Sequence, residues 1–278
     1  MLRFIVAATA LIVSGTVSAQ TLDRIKETGQ LNIGFRTDAA PLSYVNAQGL
    51  PAGYSPLICD RIAQKIANEL KMKDLNATFV AVGAKDRFDK VASGDIDLHC
   101  GAATITMARR EIVDFSIPTY VDGTSLLLPK DAGENLSDLT GKKVGMRNGT
   151  TTQQAVENSF KSAGIDSELI RFNDHQAGFQ AMIDGEIDAY FADQSILLVN
   201  FVAGGMSDRF KMTDQILTIE KHGLAIARGD TEFRHLIDSV ISGLYRDGSM
   251  RAFFDKALPG VQPGPALEAL YIVGPTLP

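Results

Sequence analysis

The sequence predicts an α/β protein of two similar lobes, each a mostly parallel sheet flanked by helices. Two observations lead to this fold class. The phrase "SGDIDLHCGA", which begins at Ser93, is echoed by "DGEIDAYFAD", which begins at Asp184. Around each copy, strand-like and helix-like segments alternate in the order β-α-β-α-β, which is typical of parallel sheets with helices on their faces.

In the first copy, apolar residues at helical spacing predict a long helix in which Ser55 is the N-cap and Pro56 the first helical residue. Gly94 is expected to end a short helix in a left-handed conformation, because glycine has no side chain to clash there. The predicted elements are strand 31–36, helix 55–70, strand 77–83, helix 86–94 and strand 96–101.

The second copy repeats this order. Both leading strands contain glycine, an apolar residue and arginine in succession, at Gly34–Arg36 and at Gly145–Arg147. Gly164 and Gly185 are expected to end the two helices. The predicted elements are strand 142–147, helix 151–164, strand 167–172, helix 175–185 and strand 187–193.

The lobes are not expected to follow each other simply in tandem. Residues 124–130, "TSLLLPK", look like a strand that leaves the first lobe, and residues 222–228, "HGLAIAR", like a strand that returns to it. Two such crossings make a hinge, because few residues then carry the conformational change. The first lobe therefore comprises 20–123 and 223–278, and the second comprises 124–222.

Two further helices, 232–248 and 250–258, need a lobe to pack on and are assigned to the first. The Pro- and Gly-rich residues 262–278 are expected to form a tail, either packed or loose.

The N-terminus predicts a cleaved signal peptide. Arg3 precedes a short apolar run, and small residues precede the expected cleavage after Ala19. The mature protein is therefore expected to be periplasmic, and no cysteine follows the apolar run to carry a lipid anchor. Because the protein is expected to be exported, a disulfide between Cys59 and Cys100 is predicted; two buried free thiols are the alternative.

Composition excludes some functions. The formal net charge is −6 and no Lys/Arg block occurs, so no nucleic-acid surface is expected. His99, His222 and His235 have no shared spacing, and neither a metal nor another cofactor is expected. The repeated acidic phrase lies where strands begin, whereas ligands of open α/β sheets bind at the carboxyl ends. Catalysis by that phrase is therefore not expected.

The strand ends carry suitable chemistry for an amino acid. Gly149, Thr150 and Thr151 precede a helix, whose free backbone N–H groups attract an anion. Arg109 offers a guanidinium fork that matches a carboxylate, and Asp193 offers a carboxylate for an ammonium. A surface arginine paired with Glu111 or Asp114 is the alternative for Arg109. An anion site and a cation site in one hinged cleft describe a zwitterion.

Several phrases resemble the periplasmic amino-acid-binding proteins of ABC importers, the polar-amino-acid solute-binding family. They run from about Leu31 to Leu258, and the most specific is the Thr-x-Thr-x-x-Arg-Arg…Asp-Phe-Ser-x-Pro string that begins at Thr104. The other phrases are "PLSYVNAQGLPAGYSPLICDRIA", "DRFDKVASGDIDLHCGAA", "NGTTTQQAV", "IDGEIDAYFADQS" and "GLAIARGD". The resemblance implies the type II periplasmic-binding-protein fold, with two lobes that close over one amino acid without chemistry and with an ABC permease of the inner membrane as partner.

The resemblance also implies site residues. Arg109, Thr104 and Thr150 or Thr151 would hold the ligand's α-carboxylate, and Asp193 its α-ammonium. The ligand's side chain would meet Arg36, Arg87 and His175, a set that favours an acidic amino acid such as glutamate or aspartate and opposes a basic one. A capping or surface role is the alternative for His175.

The chain also departs from the glutamate/aspartate binders. Ala84 and Ala102 stand where those proteins typically have serine, so two hydroxyl donors are missing. Ala39 replaces the aromatic residue that stacks on the ligand in several relatives, with Tyr44 and Phe35 as possible substitutes. Broad amino-acid specificity, a dehydratase-like enzyme on the same fold and a sensor subunit therefore stay as alternatives to a monomeric importer component.

Overall fold

A computed structural model describes residues 21–213 and 215–276 of the chain. The predicted signal peptide and its cleavage after Ala19 lie outside the described residues. The helices are α1 Thr21–Thr28, α2 Tyr54–Glu69, α3 Arg87–Ser93, α4 Met107–Arg110, α5 Thr151–Ala163, α6 His175–Ile183, α7 Gln194–Ala203, α8 Thr231–Arg246, α9 Ser249–Ala257 and α10 Pro265–Val273.

Short 3₁₀ turns cover Leu136–Leu139 and Met206–Asp208. The strands are β1 Gln30–Arg36, β2 Asp38–Ala39, β3 Ser43–Val45, β4 Pro51–Ala52, β5 Asn76–Val82, β6 Leu98–Cys100, β7 Val113–Phe115, β8 Tyr120–Asp122, β9 Thr124–Pro129, β10 Lys143–Arg147, β11 Glu168–Phe172, β12 Ala189–Asp193, β13 Phe210–Met212, β14 Glu220–His222 and β15 Ala225–Ala227.

Two five-stranded sheets confirm the predicted two-lobe α/β fold. The first sheet has the order β5-β1-β6-β15-β7 and the second the order β11-β10-β12-β9-β13. In each sheet the first three strands are parallel, and the remaining two pairings in each sheet are antiparallel. The repeat extends to register, because Gly34 lies opposite His99 in the first sheet and Gly145 opposite Tyr190 in the second.

Between the sheets, β8 and β14 form a separate antiparallel pair, with Tyr120 opposite His222 and Asp122 opposite Glu220. The two crossings therefore occur just before the segments that the sequence indicated. Residues 124–129 already belong to the second sheet, and residues 225–227 to the first. The exact lobe boundaries at 123/124 and 222/223 remain our proposal.

The repeated acidic phrase has the same structural role in both sheets. Asp97 accepts a hydrogen bond from the backbone N–H of Asn32 at 2.8 Å, and Asp188 accepts one from Lys143, also at 2.8 Å. Each carboxylate thus satisfies a backbone donor near the start of its neighbouring strand. Both groups lie at the amino ends of parallel strands, away from the edge where ligands of such sheets bind.

The predicted N-cap of α2 is wrong. The cap is Gly53, with φ 118°, and Ser55 is buried in the first helical turn. A Cβ at position 53 would lie 2.7 Å from the carbonyl oxygens of Pro41 and Leu42. Close backbone approach therefore requires glycine here, and this contact between distant segments moves the start of the helix.

The tail is a packed helix. Leu267 and Leu270 of α10 are buried, and α10 lies against the crossing strand β8. The two helices before it, α8 and α9, pack on α2. Cys59 of α2 and Cys100 of β6 form a disulfide, which decides between the two alternatives for the cysteines. Within the described ranges, no helix has the length and apolar character to cross a membrane.

Candidate functional site

A small cavity lies between the sheets, at the carboxyl ends of β1, β6, β10 and β12. It is lined by every residue that the sequence assigned to the ligand's carboxylate, ammonium or side chain, together with Ala102, Thr152 and Ile196. The cavity measures about 20 Å³, which is room for little more than one water molecule. The two sides of the cleft must therefore move apart before an amino acid can enter.

Arg109 sits at one end of this cavity. It follows a turn in which Thr106 caps the short helix α4, and its Nη1 donates to the carbonyl oxygen of Thr104 at 2.7 Å. Its guanidinium carbon lies 4.9 Å from the centre of the Phe88 ring. No described ion pair joins Arg109 to Glu111 or Asp114, so the surface-pair alternative does not describe its position.

Three successive threonines begin α5, and each hydroxyl has a different partner. Thr150 is the N-cap, and its Oγ1 accepts from the backbone N–H of Gln153 at 3.2 Å. Thr151 donates to Glu220 at 2.6 Å, and Thr152 donates to Asp193 at 3.2 Å. The sequence pattern indicated only the first role, because capping is local.

Glu220 was not found from the sequence. Its Oε2 accepts from Thr104 at 2.5 Å and from Thr151 at 2.6 Å, and its Oε1 accepts from Thr218 at 2.7 Å. Glu220 lies on a crossing strand, whereas Thr104 and Thr151 lie on opposite sides of the cleft. No local pattern marks such a residue, because its partners across the cleft, Thr151 and Thr104, are 69 and 116 positions away in the chain.

The end of the cleft near Glu220 is acidic. Burial, Asp122 and Glu220 raise the pKa of Asp193 well above its ordinary range. Burial raises the pKa of Asp122 to about 6. The ring of His222 lies 3.8 Å from Asp193, but burial lowers its pKa to about 4, so it is neutral at pH 7. This end of the cleft therefore suits a cation.

The opposite end holds Arg36 and Arg147, joined through one carboxylate. Asp38 Oδ1 accepts from Arg36 Nε at 2.8 Å and from Arg36 Nη2 at 2.5 Å, while Asp38 Oδ2 accepts from Arg147 Nε at 2.8 Å. Burial alone would raise the pKa of Asp38, but Arg36 and Arg147 together hold it well below its usual range. The sequence did not assign Asp38 or Arg147 to the site.

Arg87 differs from Arg36 because no carboxylate faces it in the described ion pairs. It is 1% exposed, its Nη1 donates to the carbonyl oxygen of Ala84, and its Nε is a buried donor without a partner. Burial, followed by Arg36 and Arg109, lowers its pKa well below the ordinary value. An unpaired buried cation at the wall of a cavity is costly, so an anionic ligand group would stabilise it.

His175 is buried, and Asp174 rather than His175 caps α6, so the alternative of a capping or surface role does not describe it. Its Nδ1 lies 3.0 Å from the hydroxyl of Tyr190. Burial and Arg36 lower its pKa to about 3, so the ring is neutral and offers a hydrogen bond rather than a charge.

The proposed aromatic substitutes are not in the cavity. Tyr44 does not line it but pairs with Asp38 on the β2–β3 hairpin, and Phe35 packs edge-on against Phe79 in the core. The stacking aromatic residue that is missing at Ala39 is therefore not replaced in the cavity by Tyr44 or Phe35. One aromatic residue that the sequence did not assign is Phe88, which supports both Arg87 and Arg109 at 4.5 and 4.9 Å.

A cleft between two α/β lobes joined by two strands, acidic at one end and basic at the other, defines a two-lobe ligand-binding protein. Residues 31–259 match the model of the bacterial extracellular solute-binding proteins, family 3, and the chain belongs to that family. This confirms the resemblance to the polar amino-acid solute-binding proteins of ABC importers.

Individual relatives with the names of amino-acid-binding proteins match most of the chain. The chain is 29% identical to the L-glutamate/L-aspartate-binding protein of Pseudomonas aeruginosa, over 90% of this chain and 85% of the relative. It is 26% identical to the glutamate/aspartate import solute-binding protein of Salmonella typhimurium, over 86% and 80%. Among solved structures, an ancestral amino acid-binding protein, described as a precursor of cyclohexadienyl dehydratase, matches with a TM-score of 0.75 and 24% identity, over 85% of this chain and 98% of that one. The last likeness shows the fold alone.

Proposed function

We propose that this protein captures an amino acid with an acidic side chain, such as glutamate or aspartate, in the interlobe cleft and delivers it to an ABC permease. The observation that carries the proposal is the separation of charge along the cavity. Asp193 and Glu220 accept hydrogen bonds from threonines at the start of α5, whereas Arg87 lies within the electrostatic influence of Arg36 and Arg147. A zwitterion with a further carboxylate matches this order of charges.

At the acidic end, Asp193 would bind the ligand's α-ammonium, and Arg109 with the N-terminus of α5 would bind its α-carboxylate. Helix N-termini and guanidinium groups both favour anions. Thr104 and Thr151 donate their hydroxyl protons to Glu220 in this arrangement. Their hydroxyl oxygens can then act as acceptors in the cavity. We propose that the Thr104 hydroxyl accepts a hydrogen bond from the ligand's ammonium, while the Thr104 carbonyl oxygen holds Arg109, which binds the ligand's α-carboxylate.

At the basic end, Arg87 would bind the side-chain carboxylate, with the neutral ring of His175 as a hydrogen-bond partner. The names of the relatives from Pseudomonas aeruginosa and Salmonella typhimurium support this choice of ligand. Arg36 is already paired with Asp38, so its part is to surround the side chain with positive potential. Basic amino acids would meet like charge there and be rejected.

The remaining expectations form part of the same proposal. The mature protein would be a periplasmic monomer with lobes 20–123 plus 223–278 and 124–222, would bind no nucleic acid and would do no chemistry on its ligand. Catalysis would need a poised acid or base at the ligand. His175 is bonded to Tyr190, and its lowered pKa makes the ring a weak base, which favours a binding role over a dehydratase-like one.

A thermal-shift screen of the mature protein with the standard amino acids tests this function. A ligand that binds only the folded state raises the free energy of unfolding, by about 2.7 kcal/mol at a ligand concentration of 100 Kd, and therefore raises the melting temperature. L-glutamate or L-aspartate is expected to give the largest shift, and L-lysine and L-arginine none. Equal shifts for many neutral amino acids would favour the broad-specificity alternative, and the absence of any shift would contradict amino-acid binding.

Replacing Arg87 with methionine is expected to weaken the binding of acidic amino acids much more than the binding of neutral ones. The loss of a buried charged partner costs about 2 kcal/mol or more, so binding of L-glutamate should weaken at least 30-fold. Binding of L-glutamine, which carries no side-chain charge, should change less than about threefold, since no desolvated charge pair is lost. Isothermal titration of both ligands measures the difference; equal losses for the two would remove Arg87 from the side-chain pocket.

Ligand binding is expected to weaken on mild acidification. Because the pKa of Asp193 is raised, the free protein takes up a proton there as pH falls. The ligand's ammonium, however, binds the ionised carboxylate. The melting-temperature shift given by L-glutamate should therefore be smaller at pH 5.5 than at pH 7.5. Asp193→Asn should bind weakly and depend less on pH between these values, with the remaining dependence coming from Asp122, whose pKa is about 6. A shift that grows as pH falls would contradict the ammonium assignment.

A further inference from the structure

The ion pair between Asp38 and Arg147 spans the cleft. Asp38 begins the short strand β2, which follows the first strand of the first sheet, whereas Arg147 ends β10 of the second sheet. Their side chains are 11% and 6% exposed, and the Arg147 Nε to Asp38 Oδ2 distance is 2.8 Å. The neighbouring helix α6 also contacts β2. These contacts join elements that belong to different sheets.

Asp38 uses both carboxylate oxygens in this arrangement. Oδ1 binds Arg36 from its own side of the cleft through two N–H groups, and Oδ2 binds Arg147 from the other side. Arg147 Nη1 is held by the carbonyl oxygen of Asn148 at 2.9 Å, so the guanidinium is fixed in direction. Bonds of this charge-assisted kind are short and strong when they are shielded from water.

Without the Asp38 carboxylate, closing the cleft would bring Arg36, Arg87 and Arg147 together with no negative charge among them. Like charges in a partly dehydrated site repel more strongly than in water. Asp38 therefore has two effects on the closed arrangement: it supplies an attraction across the cleft, and it removes a repulsion. Both effects depend on closure, because Arg147 leaves Asp38 when the lobes separate.

We propose that Asp38 is a positioning residue that bridges Arg36 and Arg147 to close the basic end of the cleft, and thereby raises affinity for the amino acid without contacting it. The proposal rests on the proposed function for its ligand, but the bridge itself does not depend on which amino acid is bound. Arg36 is committed to the bridge, which leaves Arg87 as the cation for a single acidic group on the ligand.

The opposite role for Asp38 is also testable. If Asp38 instead occupied the place of the ligand's own carboxylate, it would compete with the ligand, and its removal would tighten binding of acidic amino acids. A bridge and a competitor therefore predict changes of opposite sign. This difference makes the isosteric variant Asp38→Asn decisive, because it removes the charge and keeps the shape.

The experiment measures L-glutamate and L-glutamine binding by titration and stopped flow for wild type, Asp38→Asn, Arg147→Met and the double variant. Each single change is expected to weaken both ligands about tenfold or more, mainly by faster dissociation, since closing contacts are lost. The double variant should be little worse than either single variant, because one bridge is broken in each. Glu69→Gln, which breaks an exposed ion pair with Lys65 on α2, is the matched control and should bind as wild type.

A second measurement follows closure directly, with fluorophores on cysteines introduced by Lys73→Cys and Lys161→Cys, one in each lobe. Asp38→Asn and Arg147→Met should both lower the closed fraction, with and without ligand. Unchanged or tighter L-glutamate binding by Asp38→Asn, or additive effects of the two changes on the closed fraction, would overturn the bridge. If wild type binds neither amino acid, the proposed function fails, while the measurement without ligand still decides on the bridge.

Discussion

Arg109→Gln is expected to weaken binding of L-glutamate at least 100-fold. Removing one partner of a desolvated charge pair costs about 3–5 kcal/mol, because the other charge stays buried without its counter-ion. Every 1.4 kcal/mol corresponds to about a factor of ten in Kd. Arg109 is the guanidinium that lines the cavity next to the start of α5, where the ligand's α-carboxylate is proposed to lie.

The neighbouring arginine provides a matched control for this prediction. Arg110 lies on the same short helix, but its guanidinium carbon is 5.8 Å from the ring centre of Phe115, and it does not line the cavity. Arg110→Gln should bind L-glutamate within about threefold of wild type, since only a peripheral contact changes. Isothermal titration compares the variants, and circular dichroism checks their folding. Equal affinity of Arg109→Gln and wild type would refute the proposed carboxylate site.

The second large effect concerns the disulfide. Cys59→Ala/Cys100→Ala is expected to lower the free energy of unfolding, because the unfolded chain regains the freedom that the cross-link removes. For cysteines separated by 41 positions, the loop-entropy relation gives about 4 kcal/mol. At this chain length that is a fall in melting temperature of about 10 °C.

Scanning calorimetry with and without a reductant measures this loss. A reductant should lower the melting temperature of wild type toward that of the double variant, and it should leave the double variant unchanged. Binding of L-glutamate at 20 °C should be retained, because neither cysteine lines the cavity. A double variant that melts within 2 °C of wild type would show that the cross-link contributes little.

Most secondary structure was predictable from the sequence, because helix and strand periods and glycine helix ends are local. Gly94 and Gly164 have φ 80° and 65° at the ends of α3 and α5, as expected. The N-cap of α2 was wrong for the opposite reason: Gly53 is required by the backbone of Pro41 and Leu42, a contact that helix rules do not contain. Likewise, the tail composition did not reveal that α10 would pack on a crossing strand.

The cavity lining was also largely predictable. Parallel strands bring their carboxyl ends to one edge, so residues that follow those strands meet without any knowledge of their contacts. Arg109, Thr150, Thr151 and Asp193 were found in this way, and the resemblance to a family added Thr104, Arg36, Arg87 and His175. Their bonding was not predictable, since Arg36 binds Asp38, and Thr104 and Thr151 both bind Glu220.

The sequence by itself determined that the chain has two lobes, because the same strand and helix periods occur twice and their turns are local. Only the tertiary structure decided which charges are paired. Asp38 and Arg147 are 109 positions apart, and Glu220 and Thr104 are 116 apart. A carboxylate's partner is set by distance and burial in three dimensions, and a charge that looks free in the sequence is free in the cleft only if the fold brings no counter-ion to it.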